Sequence, residues 1–275
     1  NNAGEKGAAI SVYTGSTANI TNCTFTDNGS QQYGGALFAS SATVNIDNSI
    51  FNINGSNQNG GAIWTYQSAV TIDSCIFDSN TAVDAGGAIT AEQDSNYDIT
   101  NTTFSNNAAS NTGGALYFVQ SDMQLSRSVL NNNTAYTNGA AISSYLSNID
   151  IDNVTIACNT ISNNSLPDDG ATMHIRENSN SNPFSMKNSI AQYNSGGDRD
   201  IYIQNDNDGF DIQFLYNNCE DDICTSNDDS NSSFDPDFVA QNNCIEPDLN
   251  LNFTSDCIDA GDPNSDLDPD GTRTD

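Results

Sequence analysis

Apolar and polar positions alternate along this chain in short bursts. Residues 60–80 read GGAIWTYQSAVTIDSCIFDSN. Three apolar runs stand in that stretch, at Ala62–Trp64, Val70–Ile72 and Cys75–Phe77, with only a few polar residues between them. The runs are too short and too close for helices, and their β-branched and aromatic residues suit strands. A double glycine opens the unit and an asparagine closes it.

The unit recurs. Its opening appears at Gly7-Ala8-Ala9-Ile10, Gly34-Gly35-Ala36-Leu37, Gly60-Gly61-Ala62-Ile63, Gly86-Gly87-Ala88-Ile89, Gly113-Gly114-Ala115-Leu116 and Gly139-Ala140-Ala141-Ile142, with a worn copy at Gly170-Ala171-Thr172-Met173. The starts lie 27, 26, 26, 27, 26 and 31 residues apart. Phe25, Phe51, Phe77, Phe104, Leu130 and Ile156 form a second column, each followed three positions later by Asn28, Asn54, Asn80, Asn107, Asn133 or Asn159. A fixed period of this size marks a solenoid or array. Asn, Asp, Ser, Thr and Gly throughout each unit argue against helical repeats. Leucine-rich repeats need a denser leucine frame, and propeller blades are longer.

The pattern therefore predicts an all-β parallel β-helix, a single-stranded solenoid with three short strands in each rung of about 26 residues. Rungs stack at about 4.8 Å, so each column becomes a ladder of like side chains. Ile10, Leu37, Ile63, Ile89, Leu116, Ile142 and Met173 form one inward ladder, and Ile20, Ile46, Ile72, Ile99, Leu125 and Ile151 another. Each buried Ile or Phe contributes roughly 1.5–3 kcal/mol. The glycines belong where the chain bends with positive φ or packs its backbone closely. The asparagines suit a left-handed corner, their amides bonding up and down the stack. Regular rungs span 7–169 and irregular ones 170–216. Residues 217–275 form an acidic cap, which an exposed last sheet edge requires.

Charge narrows the function. The 275 residues hold six Lys plus Arg against 36 Asp plus Glu, a net charge of −30. Such a chain repels nucleic acid and anionic membrane surfaces, and no apolar run approaches a transmembrane helix in length. No secretory signal opens the sequence. It starts almost inside a rung, which reads as a processed or trimmed chain with rungs upstream.

Seven cysteines show no zinc spacing. Cys23 and Cys75 share a column two rungs apart, about 9.6 Å by strand spacing, beyond the reach of a bridge. They, with Cys158, are expected as free, buried ladder residues. Cys219, Cys224, Cys244 and Cys257 are the disulfide candidates, with Cys219–Cys224 or Cys244–Cys257 favoured among three connectivities. An oxidising, extracellular setting follows.

The GGA[IL] and F-x-x-N motifs resemble the repeats of the chlamydial polymorphic membrane proteins and of many secreted bacterial right-handed β-helix proteins. The stretches Asp235-Pro236-Asp237-Phe238-Val239 and Cys257-Ile258-Asp259-Ala260-Gly261-Asp262-Pro263 resemble the ends of such domains in surface-anchored and type IX-secreted proteins. The resemblance implies a right-handed coil and a secreted or cell-surface protein, with adhesion as its role. It carries no catalytic motif.

Two places could hold chemistry. The residue after each inward Ile or Leu faces out, as does the one two further along, which puts Tyr13, Phe38, Trp64, Tyr66, Tyr117 and Tyr145 on one face. An exposed aromatic row is a platform for sugar rings or a partner protein; equally, these are good strand formers under a neighbouring loop. Near the end, Asp266-Leu267-Asp268-Pro269-Asp270-Gly271 has the D-x-D-x-D-G core of a calcium loop, with Asp262 or Asp275 completing the oxygens; it reads equally as an acidic turn without an ion. Calcium is thus the one cofactor implied.

Three functions compete. The chain is a non-catalytic adhesin or stalk binding glycan or a surface protein. It is a filament subunit whose partners are neighbouring copies of itself. Or it is a β-helix polysaccharide lyase or hydrolase, for which the only candidate cluster is Asp168, Asp169, His174 and Arg176 on the first irregular rung.

Overall fold

Three of the four bends in a regular rung are of one kind: a residue in the left-handed region, then a side chain that accepts a backbone N–H from the rung before. In the computed structural model, residues 1–163, 171–177, 183–197, 199–205, 212–219, 230–233, 235–239, 244, 249–252, 254–258 and 260–263 are described. They contain strands and turns and no helix.

A regular rung has four strands, not three. In one rung these are Ile63–Tyr66, Ala69–Asp73, Ile76–Asp78 and Thr81–Ala82. The fourth is two residues long and follows the closing asparagine, so it left no apolar run to read. The strands stack into three parallel sheets. Sheet I holds seven two-residue strands, from Asn2–Ala3 to Thr160–Ile161. Sheet II holds eight, from Ile10–Val12 to Arg199–Asn205. Sheet III holds fourteen, because the second and third strands of each rung bend around one corner and merge at Asp122–Asn131 and Ile149–Ala157. Every strand pairing is parallel, and like pairs with like: Ile63 lies between Leu37 and Ile89, and Phe77 between Phe51 and Phe104.

The predicted ladders are the core. Phe25, Phe51 and Phe77 stack at 4.7 Å per step, and Phe104 follows at 5.0 Å. Two inward columns escaped the sequence reading. One runs Val44, Val70, Tyr97, Met123, Ile149, Phe184, and all are buried. The other runs Ala39, Thr65, Ala91, Phe118. Tyr97 lies across the lumen, edge-on to Phe118 at 5.2 Å, and its hydroxyl shares a 3.0 Å hydrogen bond with Thr65.

The corners correct one detail. The closing asparagines are not themselves left-handed; the residue before each one is: Asp27, Ile53, Ser79, Asn106, Asn132 and Cys158, with φ between 53° and 59°. The asparagine that follows does the hydrogen bonding. The backbone N–H and Nδ2 of Asn54 both donate to Asn80 Oδ1, at 3.0 and 2.9 Å, and Nδ2 also donates to the Phe25 carbonyl at 3.0 Å. The same set repeats at Asn80, Asn107, Asn133 and Asn159. These amides are almost wholly buried, so each satisfies groups that water cannot reach.

Two more corners use hydroxyls, and in one place a thiol, in the same way. Ser68, Ser95, Ser121 and Ser147 each accept the N–H of the equivalent residue one rung earlier, at 3.2–3.3 Å. Ser49, Cys75, Thr102 and Ser128 do so at the corner within sheet III. Glycine serves the fourth bend. Gly60 has φ +68°, and a Cβ on Gly61 would lie 2.0 Å from the Gly87 carbonyl oxygen.

The last strand, Asn218–Cys219, lies a few residues past the expected boundary at 216. The cap does not only cover the final edge. Phe238 and Cys257 pack with Ala157 and Ile190 on the outside of a corner, beside Tyr193, Leu249 and Leu251. A disulfide joins Cys158 to Cys244 across 86 residues. This overturns two expectations: Cys158 is not free, and Cys244 does not pair with Cys257, which is a buried free thiol. The reason is that Cys158 occupies the outward, left-handed place of its corner, not a ladder place, and so faces the cap. Cys23 and Cys75 are free as expected, Cys75 buried and Cys23 half-buried. Burial pushes the Cys75 thiol up to about 11, so it stays protonated. Cys219 is disulfide-bonded, and Cys224 lies outside the described residues.

Candidate binding faces

The outer face of sheet II carries the six aromatic residues, but not as an exposed row. Phe38 and Trp64 are buried, Tyr66, Tyr117 and Tyr145 half-buried, and only Tyr13 is open, at 55%. The glycine turn explains this. It brings Tyr33 back over the strands, where its ring stacks on Trp64 at 4.7 Å; Phe38 stacks on the same indole at 5.0 Å. Tyr13 leans on Phe38 at 5.5 Å, and Tyr66 lies 6.2 Å from Trp64. The indole Nε1–H donates to Glu92 Oε1 at 3.1 Å, and Asn59 Nδ2 donates to the same oxygen at 3.2 Å. The carboxylate is thus fixed beside the rings.

Three of the chain's own cations rest on this face. Lys6 Nζ is 4.8 Å from the Phe38 centroid and 5.8 Å from that of Tyr33. The Arg176 guanidinium lies 5.3 Å from the Tyr145 ring and that of Arg199 5.2 Å from Tyr202. His174, buried, stacks on Tyr202 at 5.4 Å. So His174 and Arg176 belong to a ring stack on sheet II; Asp168 and Asp169 lie outside the described residues.

Sheet III presents a different surface. Its outward column runs Thr71, Asp98, Gln124, Asp150, Ser185, Gln213, one residue per rung in strict register. Two cavities of about 350 and 420 Å³ lie along it and share Asp122 and Gln124. Together they make a trough along the solenoid axis over six rungs. Carboxylates of Asp98, Asp122 and Asp150 and amides of Asn96, Gln124 and Asn148 line it. Asn148 Oδ1 is buried and accepts no hydrogen bond within the described chain. Sequence reasoning missed this trough, since strands of the form polar–apolar–polar give no sign of which outer face is hollow. The register of Asp98 with Asp150 two repeats later was the available signal.

Of the calcium candidates, Asp262 is half-buried, its N–H donating to Asn188 Oδ1 at 2.8 Å. Asp266, Asp268, Asp270 and Asp275 lie outside the described residues. Among the described residues no three His, Cys, Asp or Glu side chains are grouped to hold a metal. No helix there is long and apolar enough to cross a membrane.

A family model described as a right handed beta helix region matches residues 8–221, well over half of the chain, and the chain belongs to that family. No curated protein and no solved structure matches it.

Proposed function

We propose that this chain is a non-catalytic rod of a secreted or cell-surface protein that adheres through its sides, holding a linear glycan along the trough of sheet III. The observation that carries this is the in-register column of hydrogen-bonding groups, repeated at each rung along the axis of that trough. A long polymer can meet one such group after another, each at the strand spacing of about 4.8 Å. The lining is rich in acceptors. Sugar hydroxyls donate to such groups, whereas uronates would meet the carboxylates of Asp98, Asp122 and Asp150 and be repelled. The ligand is accordingly a neutral glycan.

The extracellular setting is supported by the Cys158–Cys244 disulfide and the bonded Cys219, because cytosolic thiols are kept reduced. The likeness of the GGA[IL] and F-x-x-N repeats to secreted and surface β-helix proteins points the same way. Calcium at Asp262, Asp266, Asp268, Asp270 and Asp275 belongs to the proposal, and a calcium titration read by melting temperature tests it.

A glycan array with and without calcium tests the main reading. Neutral linear oligosaccharides should be retained, and Asp98→Asn with Asp150→Asn should weaken retention. Silence across all neutral glycans, or binding untouched by the double variant, removes the trough from the account. The three carboxylates sharing one trough favour a second reading, a polysaccharide hydrolase, since such enzymes use facing carboxyl groups. New reducing ends in digests of neutral glycans would put that reading first.

A further inference from the structure

We infer that the middle of the sheet II face, at Tyr66, Glu92 and Tyr117, is a docking strip for a basic polypeptide segment, whose Lys or Arg side chains take the tyrosine rings there. This goes beyond the trough, which lies on another sheet, and stands or falls separately.

The chain itself supplies the pattern. Lys6 sits on Phe38 and Tyr33 at one end of the face, and Arg176 and Arg199 sit on Tyr145 and Tyr202 at the other. In a molecule with 36 acidic residues, these three basic side chains lie on rings, while Lys187 pairs with Asp152 at 3.3 Å and Arg127 donates to Asn101. Ring faces on this sheet therefore compete well for cations. The attraction is electrostatic and strengthens where water is partly excluded.

Between those ends lie rings and carboxylates but no basic residue of the strands. Tyr66 pairs in register with Glu92, and Tyr117 with Thr90 and Ser143. Glu92 is held at the indole by its bonds from Trp64 and Asn59. Burial, and then the charges of Glu92 and Asp84, push the Tyr117 phenol up, against the smaller opposing charge of Arg176, so two carboxylates outweigh one cation at that ring. Tyr66, Glu92 and Tyr117 are half-buried, so each shows an edge to solvent. Tyr66 and Glu92 thus set a ring beside a carboxylate on the same face as the rings that Lys6 and Arg176 occupy. Charge complementarity selects the occupant: a net charge of −30 draws a basic segment and repels an acidic one. Tyr66 and Tyr117 lie two rungs apart, about 9.6 Å at the strand spacing, a gap that long side chains of an extended chain laid along the axis can span.

Trp64 is the only tryptophan and reports on this strip alone. The experiment titrates the protein with an acetylated, amidated tetra-arginine peptide at near-physiological salt and follows tryptophan emission. The parent should show a saturable change. The charge-preserving variant Tyr66→Leu/Tyr117→Leu should bind about tenfold more weakly, on the order expected for two ring contacts. Equal affinity in parent and variant would mean that bulk charge alone attracts the peptide, and would overturn the inference. Hydroxyl-radical footprinting of the parent gives an arm that needs no variant. Protection of Tyr66 and Tyr117 supports the strip; protection confined to Asp98, Asp122 and Asp150 overturns it. A neutral oligosaccharide producing the same emission change would also overturn it.

Discussion

Ile53 sits at φ +54° in a corner column whose other members include Asp27, Ser79, Asn106 and Asn132. A β-branched side chain in the left-handed region crowds its own carbonyl, a strain of about 1–2 kcal/mol that Asn largely escapes. The side chain is 56% exposed, so it gives little burial in return. Ile53→Asn should therefore stabilise the fold by about 1 kcal/mol, read as a higher denaturant midpoint with an unchanged slope. A lower midpoint would place the strain elsewhere. Asp73 shows a second single-residue effect. Asn101 Nδ2 and Thr100 Oγ1 each donate to its Oδ1 at 2.7 Å and hold its carboxyl below the ordinary carboxylate value. The stabilisation is complete above the unfolded pKa of about 3.9 and fades as pH falls through the lower folded value. In Asn101→Ala, an NMR titration should find the Asp73 midpoint raised toward the ordinary value; an unmoved midpoint would exclude the amide as its main cause.

At the scale of strand and corner, the ladders carry unequal burdens. An apolar ladder residue contributes area, whereas a corner asparagine satisfies groups that have no other partner. Replacing Asn107 with Ala would strip acceptors from the buried N–H and Nδ2 of Asn80 and a donor from the Phe77 carbonyl. Each buried group left unmet costs about 1–3 kcal/mol, so Asn107→Ala should destabilise by several kcal/mol. Asn28→Ala, in the first described copy of the ladder, should cost clearly less in the same chemical denaturation. Equal losses would contradict the ladder as the source. This difference also explains what the sequence made legible. Phe25, Phe51 and Phe77 recur in phase and are large, so their stacking was readable. The closing asparagines were readable as a column, but their dihedrals were not, because Asn is favoured both at left-handed positions and as an amide ladder. The serine corners hid in a chain already crowded with Ser and Thr. Thr81–Ala82 and its equivalents escaped because a two-residue strand shows no alternation. Trp64 was correctly placed on the outer face, but the return of Tyr33 over it depends on the φ of Gly34 and Gly60, which no hydrophobic pattern records.

For the molecule as a whole, a solenoid has contacts only between neighbouring rungs, so stability is local and passes along the axis in small steps. The cap breaks that rule. Through Cys158–Cys244 it binds a late residue back to a corner formed 86 positions earlier, and through Phe238 and Cys257 it covers Ala157 and Ile190. A cross-link of that span restricts the unfolded chain by about 4–5 kcal/mol in the loop-entropy account. In a rod of near-independent rungs, this gain should be felt where the cross-link lands and not at the far end. The double variant Cys158→Ser/Cys244→Ser should thus speed amide hydrogen exchange at Ala157, Ile190 and Phe238, while Ile46, Ile72 and Phe51 keep the parent's protection. Uniform loss along all rungs would show the shaft to unfold as one cooperative unit, with the staple setting the stability of the whole.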